Sequence, residues 1–237
     1  MRELRVEFVD QTLRDGQQSL WGLRMRAYEA LPALPHLDRT GFQAEVTRHP
    51  EHPEVVALRP RLRSEPLVSI VMPTAGSTRR VRGADVCLPI NALRSVVERS
   101  TYENIEVMLV VDTSTPERVI EEATALLGPR LRPLRWEEPF NFARKCNFGL
   151  LHSRGEQVLL LNDDVEVITP DWIEQMLMFS MDPGVGAVGA KLLFEDERIQ
   201  HVGVTMNMAG LPGHSMLGYS NEDTGYALQA RIVVNTS

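Results

Sequence analysis

One stretch of the sequence restricts the fold more than any other. An apolar run at residues 158–161 leads directly into Asn162, Asp163 and Asp164. A short apolar run bounded by turn-forming residues is typical of a strand buried on both faces of a sheet. Acids at the carboxyl end of such a strand lie where open α/β sheets bind their ligands. Asn and Asp also favour turns for structural reasons, so the stretch alone favours a plain strand and turn.

Two further strand-like runs precede this stretch. Residues 67–72 lead into Pro73 and Thr74, and residues 105–111 lead into Asp112. Helical spacing of apolar residues is found at 91–99 and 117–127, residues 140–149 are interpreted as a third helix despite Gly149, a fourth helix follows Thr169, and residues 186–194 form another strand region. Strands that alternate with helices predict an α/β fold with a mostly parallel sheet flanked by helices.

The polar residues that follow the three runs meet at one edge of the sheet if the strands are parallel neighbours. Asp112 could then accept hydrogen bonds from a base or ribose. Asp163 and Asp164 could hold a hard divalent cation against a pyrophosphate, because such cations prefer carboxylate oxygens. The combined pattern predicts a nucleotide-diphosphate site.

Composition excludes several classes of protein. The 237 residues allow one large or two small domains, and 43% apolar with 24% charged residues is typical of a globular protein. A net charge of -7 argues against binding nucleic acid through the overall field. Cys87 and Cys146 are too few for a disulfide framework. No signal peptide or apolar run of about 20 residues is found. We predict a cytoplasmic protein without a transmembrane segment, and peripheral membrane attachment stays open.

Proline and charge divide the chain. Residues 47–65 are rich in both and predict a linker, because the residue before a proline favours extended backbone. The predicted domains are therefore residues 1–46, which include a short βα fragment, and residues 66–237.

The N-terminal segment carries one resemblance. Residues 10–21, Asp-Gln-Thr-Leu-Arg-Asp-Gly-Gln-Gln-Ser-Leu-Trp, resemble the start of the carboxyltransferase domain of pyruvate carboxylase and oxaloacetate decarboxylase. That resemblance implies a metal ligand at Asp15, a substrate contact at Arg14 and a nearby Gln18. The barrel of that family needs about 250 residues, and the resemblance ends near Val46. We interpret the segment as a gene-fusion relic or an assembly join, with carboxyltransferase chemistry as a weak alternative function.

The remainder of the chain carries a second, longer resemblance. Its motifs, in the family's order, are residues 68–74, 100–107, 110–112, 140–149, 161–166, 170–172, 188–193 and 199–203. With them, residues 66–237 resemble glycosyltransferase family 2, the inverting nucleotide-sugar transferases with a Rossmann-like GT-A fold. The resemblance implies a nucleotide-diphosphate sugar as donor, a glycan, lipid or protein as acceptor, and Mn or Mg as cofactor.

The resemblance also implies roles for individual residues. Thr74 and Asp112 would contact the nucleoside, and Asn147 would lie near the nucleotide. Arg144 or Lys145 would lie close by.

The family's Asp-x-Asp position falls on the acidic stretch. Asp164 is thereby the implied metal ligand, with Asp163 as the second ligand and a nucleotide contact. Asn162 departs from the family's Asp. His201 would line the acceptor side or be an ordinary core or surface histidine, and His214 is assigned to a mobile loop.

The catalytic base is the part of the family pattern that has no match. An inverting transfer needs a carboxylate that takes the proton of the acceptor hydroxyl. In the family this base lies downstream of the region resembling residues 199–237, and the late acids Glu222 and Asp223 do not match its motif. We therefore expect a truncated domain that holds the donor half of a transferase. A non-catalytic fragment that binds nucleotide and metal is the alternative.

Overall fold

The computed structural model describes residues 44–48, 56–60, 62, 64–206 and 212–223. The chain forms two compact units, one of Leu62–Gln175 and one of Met1–Arg61 with Met176–Ser237. The carboxyltransferase-like stretch and the predicted N-terminal βα fragment lie outside the described residues. The domain limits expected from the sequence stay predictions.

The region expected to be a linker, residues 47–65, takes part in a pair of strands. β1 (Ala44–Arg48) and β2 (Val56–Pro60) form an antiparallel pair in which Ala44 lies opposite Pro60. The proline-rich pattern predicted extended backbone, and a strand is extended backbone. What the pattern did not reveal is that two such segments pair with each other.

A four-stranded parallel sheet forms the centre of the unit Leu62–Gln175. The strands of this unit are β3 (Val68–Thr74), β4 (Thr78–Val81), β5 (Ala84–Cys87), β6 (Ile105–Asp112), β7 (Leu131–Trp136) and β8 (Gln157–Leu160). The parallel sheet has the order β7-β6-β3-β8, and β4 pairs with β5 in an antiparallel hairpin. The structure confirms the predicted α/β fold with a mostly parallel sheet.

The two central strands are apolar almost throughout because both of their faces are covered. Every residue of β3 is buried, and so is every residue of β6 except Asp112. On one face, Val71, Met108 and Val110 form a cluster with Trp136. This core places the carboxyl ends of β3 and β6 side by side.

Among the residues that the structure describes, four α-helices accompany the strands: α1 (Leu88–Arg99), α2 (Glu117–Leu127), α3 (Phe142–His152) and α4 (Trp172–Ser180). α3 begins at a capped N-terminus, because the side chain of Asn141 accepts a hydrogen bond from the backbone N–H of Arg144. The helices expected near residues 91–99, 117–127 and 140–149 are all present. The fourth starts at Trp172, shortly after the expected cap at Thr169.

Gly149 lies in the interior of α3, where a glycine normally weakens a helix. A Cβ atom built at this position would overlap Val71 Cγ1 and lie 3.1 Å from Val110 Cγ2. The absent side chain therefore lets the backbone of α3 rest directly on β3 and β6. This close contact fixes the height of the helix above the sheet.

The two outer strands of the sheet differ from the expectation. β7 was missed, because Pro133 and its alternating polar residues conceal the strand. Proline is tolerated there since β7 lies at an edge of the sheet. β8 was expected to be buried on both faces, and this was wrong. It is the other edge strand, and Val158 and Leu160 are 39% and 61% exposed.

The unit that includes Met176–Ser237 contains short strands. These are β9 (Leu192–Leu193), β10 (Ile199–His201), β11 (Val204–Met206) and β12 (Pro212–His214). β9 pairs with β10 and β11 pairs with β12, both antiparallel. Of the strand region expected at 186–194, only β9 is a strand. In the part of the chain that the structure describes, no helix is long and apolar enough to cross a membrane.

Candidate functional site

The carboxyl ends of three parallel strands bring the predicted polar residues to one edge of the sheet. Thr74 ends β3 beside Val111, and Asp112 follows on β6. The N–H of Leu161 donates to the carbonyl of Val71, so pairing with β3 continues one residue beyond β8. The chain then turns at Asp163, which places the acidic stretch directly next to the end of β3.

Thr74 and Asp163 are joined by a hydrogen bond. The Thr74 hydroxyl donates to Asp163 Oδ2 at 2.5 Å, and Thr74 Oγ1 itself accepts the Gly76 N–H at 2.9 Å. Gly76 has a φ of 72°, and a Cβ atom there would lie 2.9 Å from Thr115 Cγ2. Glycine therefore allows the turn after β3 that orients this buried hydroxyl.

Lys145 links the ends of the two central strands. Its side chain is 1% exposed, and its Nζ donates to Asp112 Oδ1 at 2.8 Å and to the Thr74 carbonyl at 3.1 Å. The ring of the exposed Phe140 lies 5.8 Å from the same nitrogen. A buried ammonium group is tolerated only when it is paired and hydrogen-bonded. Lys145 therefore holds the Asp112 carboxylate in a fixed position at the edge of the sheet.

The charges at this edge are unbalanced. Burial raises the pKa of Asp163, and the negative charge of Asp164 raises it further. The hydrogen bond from Thr74 and the charge of Lys145 oppose this, but the net pKa stays above its usual value. Among the described residues of this edge, the carboxylates of Asp112, Asp163 and Asp164 thus outnumber the Lys145 ammonium group. A cation or a cation-bound ligand would relieve the excess negative charge.

Asp163 and Asp164 fit a hard divalent cation. Asp164 is exposed in the turn, and within the described residues its carboxylate forms no hydrogen bond or ion pair. Among those same residues, no group of three or more His, Cys, Asp or Glu side chains could enclose a metal. Mg²⁺ characteristically takes only one or two carboxylates, together with waters and substrate phosphates. Two adjacent carboxylates at the end of a strand match that requirement.

The other residues implied by the resemblance lie outside this cluster. Asn147 is exposed on α3, and Arg144 is 63% exposed and pairs with Glu138 at 2.5 Å. The role of Asn147 stays a prediction. Of the two basic residues offered by the sequence, Lys145 is the one that joins the site. Helical spacing indicates this, because Lys145 lies one turn before the buried Gly149 and so shares its face.

Comparison with known proteins identifies the family of these motifs. A family model described as Glycosyl transferase family 2 matches residues 90–225. The uncharacterized protein y4gI of Sinorhizobium fredii is 38% identical over 205 residues, and the O-antigen biosynthesis protein RfbC of Myxococcus xanthus is 35% identical over 181 residues. The matches cover 85% and 76% of this chain. They cover 22% and 13% of the relatives, so the chain spans less than a quarter of their lengths.

Similar solved structures include the mannosyltransferase PcManGT from Pyrobaculum calidifontis in complex with GDP-Man and Mn2+. It is 20% identical, with 66% of this chain and 41% of that chain covered, at a TM-score of 0.42. TarS 1-349 of S. aureus is 22% identical, with 42% of this chain and 28% of that chain covered, at a TM-score of 0.34. The carboxyltransferase-like N-terminal stretch gains no support from these comparisons.

Proposed function

Because this chain belongs to glycosyl transferase family 2, we propose that it binds the nucleotide-diphosphate donor of an inverting sugar transfer. One observation carries the proposal. Thr74 and Asp112 end β3 and β6, Asp163 lies in the turn that follows β8, and hydrogen bonds through Lys145 and Thr74 join the three residues at one edge of the sheet. Such an edge is the ligand crevice of open α/β sheets.

Each residue of the cluster has a proposed task. Asp112 has one carboxylate oxygen on Lys145, and the other oxygen accepts hydrogen bonds from the nucleoside. Asp163 and Asp164 hold a divalent cation, which neutralises the charge that develops on the departing diphosphate. Thr74 keeps Asp163 in place through its hydroxyl hydrogen bond. Lys145 acts as a positioning residue, because its Nζ is directed at Asp112 and the Thr74 carbonyl.

No residue of the cluster is proposed as the catalytic base. Inversion requires a carboxylate that accepts the acceptor's proton on the face opposite the leaving group. Asp112 is engaged by Lys145, and Asp163 is engaged by Thr74. The activity, the donor sugar and the acceptor of the whole protein remain parts of the proposal.

A binding experiment tests the donor site. Calorimetric titration of nucleoside diphosphates should show affinity that rises when Mn²⁺ or Mg²⁺ is added. Asp164→Ala should lower the cation-dependent affinity by about tenfold or more, which corresponds to about 1.4 kcal/mol. Asp85→Ala is the matched control, because Asp85 is an exposed acid on the β4–β5 hairpin. Equal losses in both variants, or no cation-dependent binding, would contradict the proposal.

A non-catalytic nucleotide-binding module is the second candidate. It is favoured by the tasks proposed for the three carboxylates of this edge, because Asp112 binds the nucleoside and Asp163 and Asp164 hold the cation, which leaves none of them as the base. Release of nucleoside diphosphate from a panel of nucleotide sugars separates the two candidates. Each donor should be assayed with and without polysaccharide acceptors, because RfbC is named an O-antigen biosynthesis protein. Donor binding without acceptor-dependent release would favour the binding module.

A further inference from the structure

Two histidines of the unit that includes Met176–Ser237 meet nitrogen to nitrogen. His201 Nδ1 lies 2.8 Å from His214 Nδ1, the ring centroids are 5.0 Å apart, and the ring planes cross at 82°. His201 ends β10 and His214 ends β12, so the two are 13 residues apart in the sequence. Neither residue has a task in the proposed donor site.

The backbone holds the two rings together. His214 lies opposite Val204 in the antiparallel β11–β12 pair, and the Ser215 N–H donates to the Gly203 carbonyl at 3.0 Å. Because Gly203 and Val204 follow His201 by only two and three residues, this pairing carries His214 back beside β10. Backbone hydrogen bonds between β11 and β12 therefore position the two imidazole rings next to each other.

This contact requires that at least one of the two rings is neutral. One Nδ1–H donates and the other Nδ1 accepts through its lone pair, since two protonated rings would place two N–H groups against each other. Burial lowers the pKa of His201, and the neighbouring His214 lowers it further. Neutral imidazole nitrogen is the form that binds transition metals.

We propose that His201 and His214 form a two-histidine site for a divalent transition-metal ion of the copper or nickel type. A metal about 2.0 Å from each of two nitrogens that are 2.8 Å apart sees them at an angle of about 90°. That is the angle between neighbouring ligands in square-planar and octahedral complexes. Tetrahedral zinc would require nitrogens about 3.3 Å apart. With a rotation of both rings that turns their Nδ1 lone pairs from each other toward the metal, this spacing suits Cu²⁺ or Ni²⁺ better than Zn²⁺.

Solvent supplies the other ligands of such a site. Within residues 44–48, 56–60, 62, 64–206 and 212–223, no third His, Cys, Asp or Glu completes a metal-binding group. His214 is exposed, so water can reach the metal. When the metal binds, the shared Nδ1 proton moves to Nε2 of the same ring by exchange with water. Both Nδ1 lone pairs are then available to the metal, and this proton stays on the same ring.

Titration of the untagged chain with Cu²⁺ or Ni²⁺ alone tests this site. His214→Asn and His201→Asn should each lower the affinity by about tenfold or more, because each removes one of two ligands. The electron paramagnetic resonance spectrum of the Cu²⁺ form should show two coupled nitrogens in the native chain and fewer in each variant. Binding unchanged in both variants would overturn the proposal.

Two controls give the result its meaning. The chain has six histidines, and His52→Asn, in the proline-rich segment, should leave the two-nitrogen spectrum intact. A loss in that variant equal to the loss in His214→Asn would place the metal elsewhere and overturn the proposal. The carboxylates of the donor site contribute no nitrogen ligand, so the two-nitrogen spectrum reports the histidine site alone, and failure of the donor site and failure of the histidine site are separate results. Far-UV circular dichroism shows that each variant is folded, and the exposure of His214 makes it the safer of the two substitutions.

Discussion

Glu106 and Asp163 are carboxylates at opposite ends of one sheet, and they differ in how completely the protein neutralises them. Glu106, near the start of β6, is 2% exposed. It accepts hydrogen bonds from the Ser69 hydroxyl at 2.7 Å and from the Arg154 backbone N–H and Nε at 2.7 and 2.8 Å. Arg132 Nη1 lies 3.9 Å away. Burial alone raises the pKa of Glu106, but these hydrogen bonds outweigh it, and the net pKa is lowered.

Asp163 has one hydroxyl donor and a like charge beside it. Its pKa is raised, because burial and Asp164 outweigh the hydrogen bond from Thr74. A carboxylate that is already fully neutralised has little to gain from a ligand, so Glu106 contributes to stability. A carboxylate that keeps excess negative charge is stabilised when a cation binds, so Asp163 favours the cation-bound protein over the empty one. The contrast separates a structural ion cluster from a binding site within one fold.

The largest effect on stability should follow from Glu106→Gln. The substitution removes the charge that pairs with Arg154 and Arg132, so the free energy of unfolding should fall by about 3 kcal/mol. Urea denaturation measures this change. Glu117→Gln is the control, because Glu117 is 61% exposed in its pair with Arg135 and should cost no more than about 1 kcal/mol. Similar losses of unfolding free energy in both variants would show that Glu106 is not a structural acid.

Lys145→Met should have an intermediate effect on stability and a clear effect on binding. Asp112 loses its ion pair, but its side chain is 20% exposed and can be hydrated, so we expect a loss of about 1–2 kcal/mol. Nucleotide affinity should fall with it, because Asp112 is no longer held in position. Arg144→Met, on the exposed face of the same helix, should leave both quantities nearly unchanged. If binding survives in Lys145→Met, the positioning role is wrong.

Asp163→Asn should separate stability from binding. The substitution removes a charge that the folded state accommodates poorly, so the free energy of unfolding at neutral pH should stay the same or rise by up to about 1 kcal/mol. Cation-dependent nucleotide affinity should nevertheless fall by about tenfold or more. Parallel titration and urea denaturation of the same preparation check both results. A destabilised Asp163→Asn variant would place Asp163 with Glu106 as a structural acid.

The smallest effects are those of pH, and they should have opposite signs. The pKa of Glu106 is lowered from 4.5, so its contribution to stability is present above that value and is lost as pH falls through the folded-state pKa. The pKa of Asp163 is raised from 3.8, so its ionisation costs stability as pH rises from that value through the folded-state pKa. Urea denaturation between acid and neutral pH should therefore show the deficit of Glu106→Gln shrinking in acid and the advantage of Asp163→Asn growing toward neutral pH.

The sequence predicted those elements of the fold that a single segment of the chain determines by its own residue pattern. The apolar runs located β3, β6 and β8, and parallel pairing then required Thr74, Asp112 and Asp163 to share an edge. The exposed face of β8 could not be predicted, because the burial of a strand depends on neighbours outside its own sequence. The Glu106 cluster was missed for the same reason, since its partners Ser69 and Arg154 lie 37 and 48 residues away.

The bare backbone of Gly149 has a consequence for how this protein tolerates mutation. Gly149 sets the distance between α3 and the sheet, and Lys145 spans that same distance one turn earlier to reach Asp112 and the Thr74 carbonyl. A side chain at position 149 would lift the helix and leave the lysine too short for both partners. Substitutions at 149 and 145 should therefore be non-additive, and a double-mutant cycle would reveal that coupling between two residues that do not exchange a hydrogen bond.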